Sequence, residues 1–94
     1  MNDAVLLEFW APWCKPCAKL EPVLDALADR VRIERVNADD EPDRAAQYDV
    51  LSLPTCVLLV DGELRGTVVG VRKLDYFESW LAEMLPAAEL GRDA

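Results

Sequence analysis

Histidine is absent from this 94-residue sequence, and cysteine is represented by only three residues. Without imidazole, the chain has no histidine to serve as metal ligand, proton shuttle or triad base, which leaves sulfur and carboxylate chemistry. Basic residues are also few, because ten Lys and Arg stand against eighteen Asp and Glu, for a formal net charge of −8. Phosphate backbones and anionic lipids repel such a surface, so we expect neither a nucleic-acid nor a membrane partner.

The sequence also has little that would direct it out of the cell. The apolar run at residues 4–9 is too short for a signal-peptide core or a membrane span, and Met1, Asn2 and Asp3 supply no Lys or Arg before it. We therefore expect a cytoplasmic protein. In that compartment, three cysteines favour catalysis or metal binding over a structural disulfide framework.

The hydrophobic pattern predicts one domain over residues 1–94, with a core at about residues 4–85 and the order β-α-β-α-β-β-α. The first two strands are joined through a helix and should be parallel, whereas the Asp61-Gly62 signal predicts an antiparallel hairpin. The fold class is therefore α/β, a mixed four-stranded sheet with helices on both faces. Strands are predicted at residues 4–10, 31–37, 55–60 and 63–69, helices at 15–29, 42–48 and 73–85, and a frayed tail at 86–94.

The most informative motif is Cys14-Lys15-Pro16-Cys17, between the first predicted strand and the first predicted helix. Unpaired amides and the positive end of the helix dipole stabilise an anion there, so we expect the pKa of a thiol to fall. Cys14, at the helix tip, should be the attacking thiolate, and Cys17, one turn deeper, should resolve the mixed disulfide. Lys15 adds positive charge, and Pro16 stiffens the turn.

A metal knuckle is the alternative use of such a pair. A tetrahedral zinc or iron–sulfur site needs four ligands, usually from two such pairs. This sequence has one pair, a distant Cys56 and no histidine, so a metal would require a second chain. We therefore predict no metal and no other cofactor.

The stretch at residues 9–17 (FWAPWCKPC) closely resembles the active-site segment of the thioredoxin family, F-W-A-x-W-C-G-P-C. The likeness extends to the strand-end VNAD at 36–39, the SLPT at 52–55, the DGE at 61–63 and the Val69-Gly70 pair. It covers about residues 4–85 and implies a minimal thioredoxin fold, a short form without the family's usual N-terminal strand and helix. The strand at 31–37 would then lie at the sheet edge, where charged side chains discourage pairing, with dimerisation as the competing outcome.

The resemblance implies roles for five residues beyond the cysteine pair. Pro54 would be a cis-proline facing the sulfurs. An apolar groove of Trp13, Leu53, Val69 and Gly70 would offer main-chain hydrogen bonds to an extended substrate segment, although Gly70 could equally be an ordinary turn glycine.

Glu8 is the most informative polar residue after the cysteines, because it interrupts an apolar strand and should be buried with a raised pKa. The resemblance implies that it accepts the proton of Cys17, as a shorter Asp does in the family. Arg35 corresponds to a buried Lys of the family, and we predict that it is the partner of Glu8. Alternatively, Glu8 is solvated and Arg35 only borders the sheet.

The predicted function is reduction of protein disulfides by dithiol exchange, in a monomer. By resemblance, its electrons would come from a flavoprotein thioredoxin reductase that uses NADPH. Lys15 replaces the usual glycine and would favour the reduced thiolate, so a disulfide oxidant or isomerase remains an alternative. A non-catalytic binding module is another alternative. Cys56 is interpreted as a small buried hydrophobe or, alternatively, a third redox group.

Overall fold

The computed structural model describes residues 3–85, so the predicted tail at 86–94 lies outside the described residues. Its elements follow the predicted order β-α-β-α-β-β-α. They are β1 (Ala4–Trp10), α1 (Lys15–Leu27), β2 (Arg32–Asn37), α2 (Pro42–Gln47), β3 (Thr55–Val60), β4 (Glu63–Val69) and α3 (Leu74–Met84).

The four strands form one mixed sheet in the order β2-β1-β3-β4. β1 pairs with β2 in parallel, as the connection between them predicted, and with β3 in antiparallel orientation. The β3–β4 hairpin turns at Asp61 and Gly62, whose φ angles of 53° and 83° give the left-handed pair that a two-residue turn requires. Within residues 3–85, β2 has no strand on its outer side, so it is an edge strand as expected.

The helices cover both faces of the sheet. On one face, α1 and α3 pack against alternate residues of the central strands, with Leu24, Phe77 and Leu58 among the fully buried members. On the other face, α2 contributes Ala45 to a smaller cluster built on Phe9 and Val57. Both central strands are therefore buried on two sides, which explains their nearly continuous apolar sequences.

Several element ends differ from prediction by one or two residues. α1 ends at Leu27 rather than near residue 29, because the amides of Arg30 and Val31 both donate to the Leu27 carbonyl and close the helix there. β2 begins one residue later than predicted, at Arg32. α2 ends at Gln47 because the next turn leads into Asp49, whose φ is 56°.

The last helix is also shorter than predicted at both ends. α3 spans Leu74–Met84, because Lys73 and Leu85 have extended backbones and act as its caps. None of the helices within residues 3–85 is both long and apolar enough to cross a membrane.

Candidate active site

Cys14 and Cys17 form a disulfide at the N-terminus of α1, with Cα atoms 5.4 Å apart. Cys14 is the N-cap residue of the helix, and its Sγ accepts a hydrogen bond from the Cys17 amide at 3.3 Å. The Cys14 amide in turn donates to the Ala11 carbonyl at 3.0 Å, which fixes the turn between β1 and α1. The cysteine sulfur therefore occupies the place where a helix N-terminus stabilises negative charge.

The two cysteines differ slightly in exposure. Cys14 is 7% exposed and Cys17 is 2% exposed, so Cys14 is the more accessible of the two. Lys15 and Pro16, between them, are exposed. Trp13, just before the pair, is 67% exposed, and its indole Nε1 donates to Asp39 Oδ2 at 2.9 Å.

The loop before β3 approaches the cysteines from the other side. Its Leu53–Pro54 peptide bond is cis, the geometry that the resemblance implied. Leu53 packs against the buried cluster of Ala11, Cys14 and Cys17. Pro54 is itself buried, and the loop is held by a 2.7 Å hydrogen bond from Thr55 Oγ1 to the Ser52 carbonyl.

The end of β4 completes this edge of the sheet. Val69 is 51% exposed, and Gly70 follows it with a φ of 91°, a left-handed conformation that glycine adopts without strain. The Gly70 amide donates to the Pro54 carbonyl at 2.9 Å. That amide is therefore paired within the protein and ties the end of β4 to the loop before β3.

Glu8 lies in the middle of β1 and is fully buried. Within residues 3–85, neither of its carboxyl oxygens receives a hydrogen bond from an N–H or O–H donor. Burial above all, together with the negative charge of Glu21, raises its pKa to about 8, while the Arg35 charge acts in the opposite direction. A pKa of about 8 lets Glu8 take up or release a proton close to the neutral range.

Arg35 lies beside Glu8 but binds other carboxylates more closely. Its Nε is 2.6 Å from Glu21 Oε1 and its Nη2 is 3.0 Å from Asp25 Oδ1, whereas Nε is 3.7 Å from Glu8 Oε1. The last distance permits electrostatic attraction but is too long for a hydrogen bond. The predicted Glu8–Arg35 pair is thus part of a four-residue group, Glu8, Glu21, Asp25 and Arg35, which we call the acidic cluster.

Sequence reasoning missed Glu21. The available signal was its spacing, since residues four apart lie on the same face of a helix and Glu21 follows Cys17 by four. The structure places both residues at one cavity of about 300 Å³, together with Cys14 and Arg35. The cavity therefore runs from the disulfide to the acidic cluster.

The thioredoxin family model matches residues 1–83 of this chain. The chain belongs to the thioredoxin family. It is 41% identical over 85 residues to a thioredoxin of Porphyra purpurea, an alignment that covers 85% of this chain and 79% of that protein. It is 42% identical over 75 residues to a thioredoxin of Bacillus subtilis, covering 76% and 72% of the two chains.

Solved structures of thioredoxins have the same fold. A mutant thioredoxin from Halobacterium salinarum superposes with a TM-score of 0.82 at 33% identity, covering 99% of this chain and 80% of that one. The Fasciola hepatica thioredoxin gives a TM-score of 0.79 at 27% identity, with 88% and 82% covered. Together with the Cys14–Cys17 pair, these similarities identify a dithiol–disulfide oxidoreductase with protein-disulfide reductase activity.

Cys56 is a free thiol in this thioredoxin-family protein and is fully buried. It lies opposite Glu8 in the β1–β3 register. Burial raises the pKa of its thiol to about 12, with the charges of Glu8 and Glu21 acting in the same direction. Such a thiol stays protonated, which suits the interpretation as a small hydrophobe.

The part of the chain that the structure describes contains no group of three or more Cys, Asp or Glu side chains arranged to hold a metal ion.

Proposed function

We propose that this protein acts as a reductant, in which Cys14 attacks the disulfide of a protein substrate and Cys17 resolves the mixed disulfide. The observation that carries the proposal is the position of Cys14 Sγ, which accepts the Cys17 amide at the first turn of α1. That position stabilises a thiolate on Cys14 and leaves Cys17 deeper in the protein.

The substrate surface in this proposal surrounds Cys14. Trp13, just before Cys14, and Val69, at the end of β4, expose apolar area, and Leu53 packs against the cysteine cluster. Pro54 would hold that loop against the disulfide. An apolar rim around a nucleophile suits an unfolded or extended segment of a protein rather than a charged small molecule.

Glu8 accepts the proton of Cys17 in this proposal. Two observations support it: the carboxyl is buried without a hydrogen-bond partner, and it shares Arg35 Nε with Glu21, which lines the same cavity as Cys17. Arg35 holds Glu21 and Asp25 and keeps the acidic cluster from carrying excess negative charge. No cofactor beyond the two thiols is required for this exchange.

The cellular setting is also proposed. A free, buried Cys56 beside one exchangeable pair suits the reducing environment of the cytoplasm. A flavoprotein thioredoxin reductase would then restore the dithiol. We propose a monomer as the working form, because the edge strand β2 carries charged side chains that disfavour strand pairing between copies.

Reduction of insulin disulfides tests the proposal. With dithiothreitol as electron source, the wild type should accelerate the reaction, Cys14→Ser should be inactive, and Cys17→Ser should accumulate a mixed disulfide detectable by mass spectrometry. Cys56→Ser is the matched control and should retain activity. An active Cys14→Ser variant would contradict the assignment of the nucleophile.

A glutathione titration tests the direction of electron flow. A reductant should be largely oxidised by a glutathione buffer of cytosolic composition, whereas a disulfide oxidant or isomerase should remain largely reduced in it. A mostly reduced protein would contradict the reductant role and would support a disulfide oxidant or isomerase.

A further inference from the structure

The reaction proposed above releases one proton from Cys17 into a site that contains no histidine, so the route of that proton to solvent needs an explanation. Glu8 is fully buried and cannot exchange a proton directly with bulk water. Glu21 is different, because its side chain is 38% exposed while it binds Arg35 Nε at 2.6 Å, the same nitrogen that lies 3.7 Å from Glu8 Oε1. It is the member of the acidic cluster that reaches both the interior and solvent.

Arg35 fixes Glu21 in that position. The 2.6 Å contact between Arg35 Nε and Glu21 Oε1 is the shortest ion pair of the described residues. Asp25 holds the other arm of the guanidinium at 3.0 Å. Glu21 therefore stays next to Glu8 and does not rotate freely into solvent.

The cavity beside the disulfide leads to the same residue. Its lining includes Cys17, Glu21 and Arg35, and its volume of about 300 Å³ admits several water molecules. A carboxylate can take a proton from a thiol directly or through a water molecule, so the residues and water of this cavity are sufficient for the transfer.

We propose that Glu21 is the exit for the proton that Cys17 releases, sharing that proton with buried Glu8 and passing it to the water of this cavity. The inference rests on the proposed function and deepens it. Because Glu21 acts through Glu8 rather than on the sulfurs, it is a positioning residue for the reaction and not a catalytic one.

The steps balance as follows. The Cys14 thiolate attacks the substrate disulfide, forms a mixed disulfide and releases one substrate thiolate. The Cys17 thiol gives its proton to the ionised form of Glu8, beside Glu21, and the resulting thiolate attacks Cys14 Sγ. That attack forms the Cys14–Cys17 disulfide, releases the second substrate thiolate and oxidises the protein by the two electrons that the substrate gains. The proton then leaves from Glu21 to water.

The groups that face Glu8 come from three elements. Glu21, with Asp25 behind it, belongs to α1, Arg35 belongs to β2, and Cys56 lies opposite Glu8 on β3. Of these, Glu21 is the group whose charge and hydrogen-bonding contact both favour a proton on Glu8. Removing its charge should therefore ease ionisation of Glu8.

The first test is an NMR titration of the Glu8 carboxyl in the oxidised protein. In Glu21→Gln the midpoint should fall by roughly one pH unit or more from the wild-type value, because a like charge is lost and Arg35 is left to Glu8. Glu34→Gln is the matched control, since it removes one carboxylate charge from β2 that pairs instead with Arg44 of α2, at 2.8 Å. An unchanged Glu8 midpoint in Glu21→Gln would overturn the proposal.

The second test measures proton exit. Single-turnover oxidation of the reduced protein by a small disulfide should be independent of buffer concentration in wild type. In Glu21→Gln it should accelerate with added imidazole, a small base that enters the cavity and replaces the lost exit. A Glu21→Gln rate without buffer dependence would overturn the exit role even if the Glu8 midpoint shifts.

Glu21→Asp, which keeps the charge but is one methylene shorter, should show a smaller buffer dependence than Glu21→Gln and provides a second variant if Glu21→Gln folds poorly. Failure of the proposed function would be distinct, since wild type itself would then not reduce insulin disulfides.

Discussion

Replacing Glu8 by Gln should stabilise the oxidised protein at neutral and alkaline pH. Glu8 has a pKa of about 8 in the folded protein against an ordinary value of 4.5, with burial as the main cause. Between these two values the folded state binds a proton that the unfolded state has lost. The free energy of unfolding therefore decreases as pH rises across that window, by up to ~1.4 kcal/mol per pH unit.

The total effect follows from the size of the shift. The rise in the pKa of Glu8 from 4.5 to about 8 corresponds to at most about 5 kcal/mol of unfolding free energy. This stabilisation is lost in full once the pH exceeds the pKa of Glu8 in the folded protein. A Gln at position 8 carries no charge at any pH and can donate to Glu21. The stability of Glu8→Gln minus that of wild type should thus be within about 1 kcal/mol of zero near pH 4 and should grow to several kcal/mol by pH 8.5.

Urea denaturation of the disulfide-bonded form at half-unit steps from pH 4 to 8.5 measures this difference. Cys56 titrates in the unfolded states of both proteins and cancels in the subtraction. Glu34→Gln is an informative control of opposite sign, because the Arg44 hydrogen bond lowers the pKa of Glu34 and its loss should destabilise the protein above the usual carboxyl range. Parallel pH profiles for wild type and Glu8→Gln would refute the argument.

Three further substitutions test other parts of the structure. Lys15→Gly removes a cation from the helix tip, so the reduction potential should fall by about 10–20 mV, and equal potentials in a glutathione titration would contradict this. Gly66→Ala places a Cβ 3.0 Å from Trp80 Cζ2 and should cost about 1–3 kcal/mol in urea unfolding, whereas wild-type stability would mean that the indole shifts without cost. Val69→Asp should raise the KM for insulin about tenfold while leaving kcat within about twofold. The control Leu64→Asp, at the far end of β4, should change neither KM nor kcat. Equal effects of the two substitutions would exclude Val69 from the substrate surface.

Most of the fold could be predicted because its signals are local. The continuous apolar runs of β1 and β3 indicate strands buried on both faces, and Asp61-Gly62 specifies its turn through left-handed φ angles. The ends of helices were less predictable. They depend on which backbone amide donates to which carbonyl. The amides of Arg30 and Val31 both donate to the Leu27 carbonyl, and no side-chain pattern in that segment predicts this.

The residues of the site also differ in whether local sequence signals predict them. The cysteine pair was predictable because spacing and helix position are contained in four consecutive residues. The pairing of Arg35 was only partly predictable, although Arg35 lies directly opposite Glu8 in the parallel register. The Arg35 guanidinium lies closer to Glu21 and Asp25, whose side chains reach solvent, than to Glu8, because an ionised carboxylate is costly to bury. Which residue of α1 lies next to Glu8 and Arg35 depends on how α1 crosses β1, and the sequence pattern does not predict that crossing.

The burial that destabilises the ionised form of Glu8 is also what makes it a useful base. An ordinary cysteine thiol has a pKa of about 8.5 and an ordinary Glu one of about 4.3, so transfer of a thiol proton to an exposed Glu is uphill by roughly 6 kcal/mol. With its pKa at about 8, Glu8 nearly matches the thiol, and the same transfer costs under about 1 kcal/mol. Glu21 contributes to that match, because with Glu8 ionised three carboxylates would share the single guanidinium of Arg35. Burial of Glu8 in the acidic cluster therefore lowers folding stability by several kcal/mol at high pH. In a chain without histidine, it also provides a proton acceptor whose pKa is close to that of a thiol.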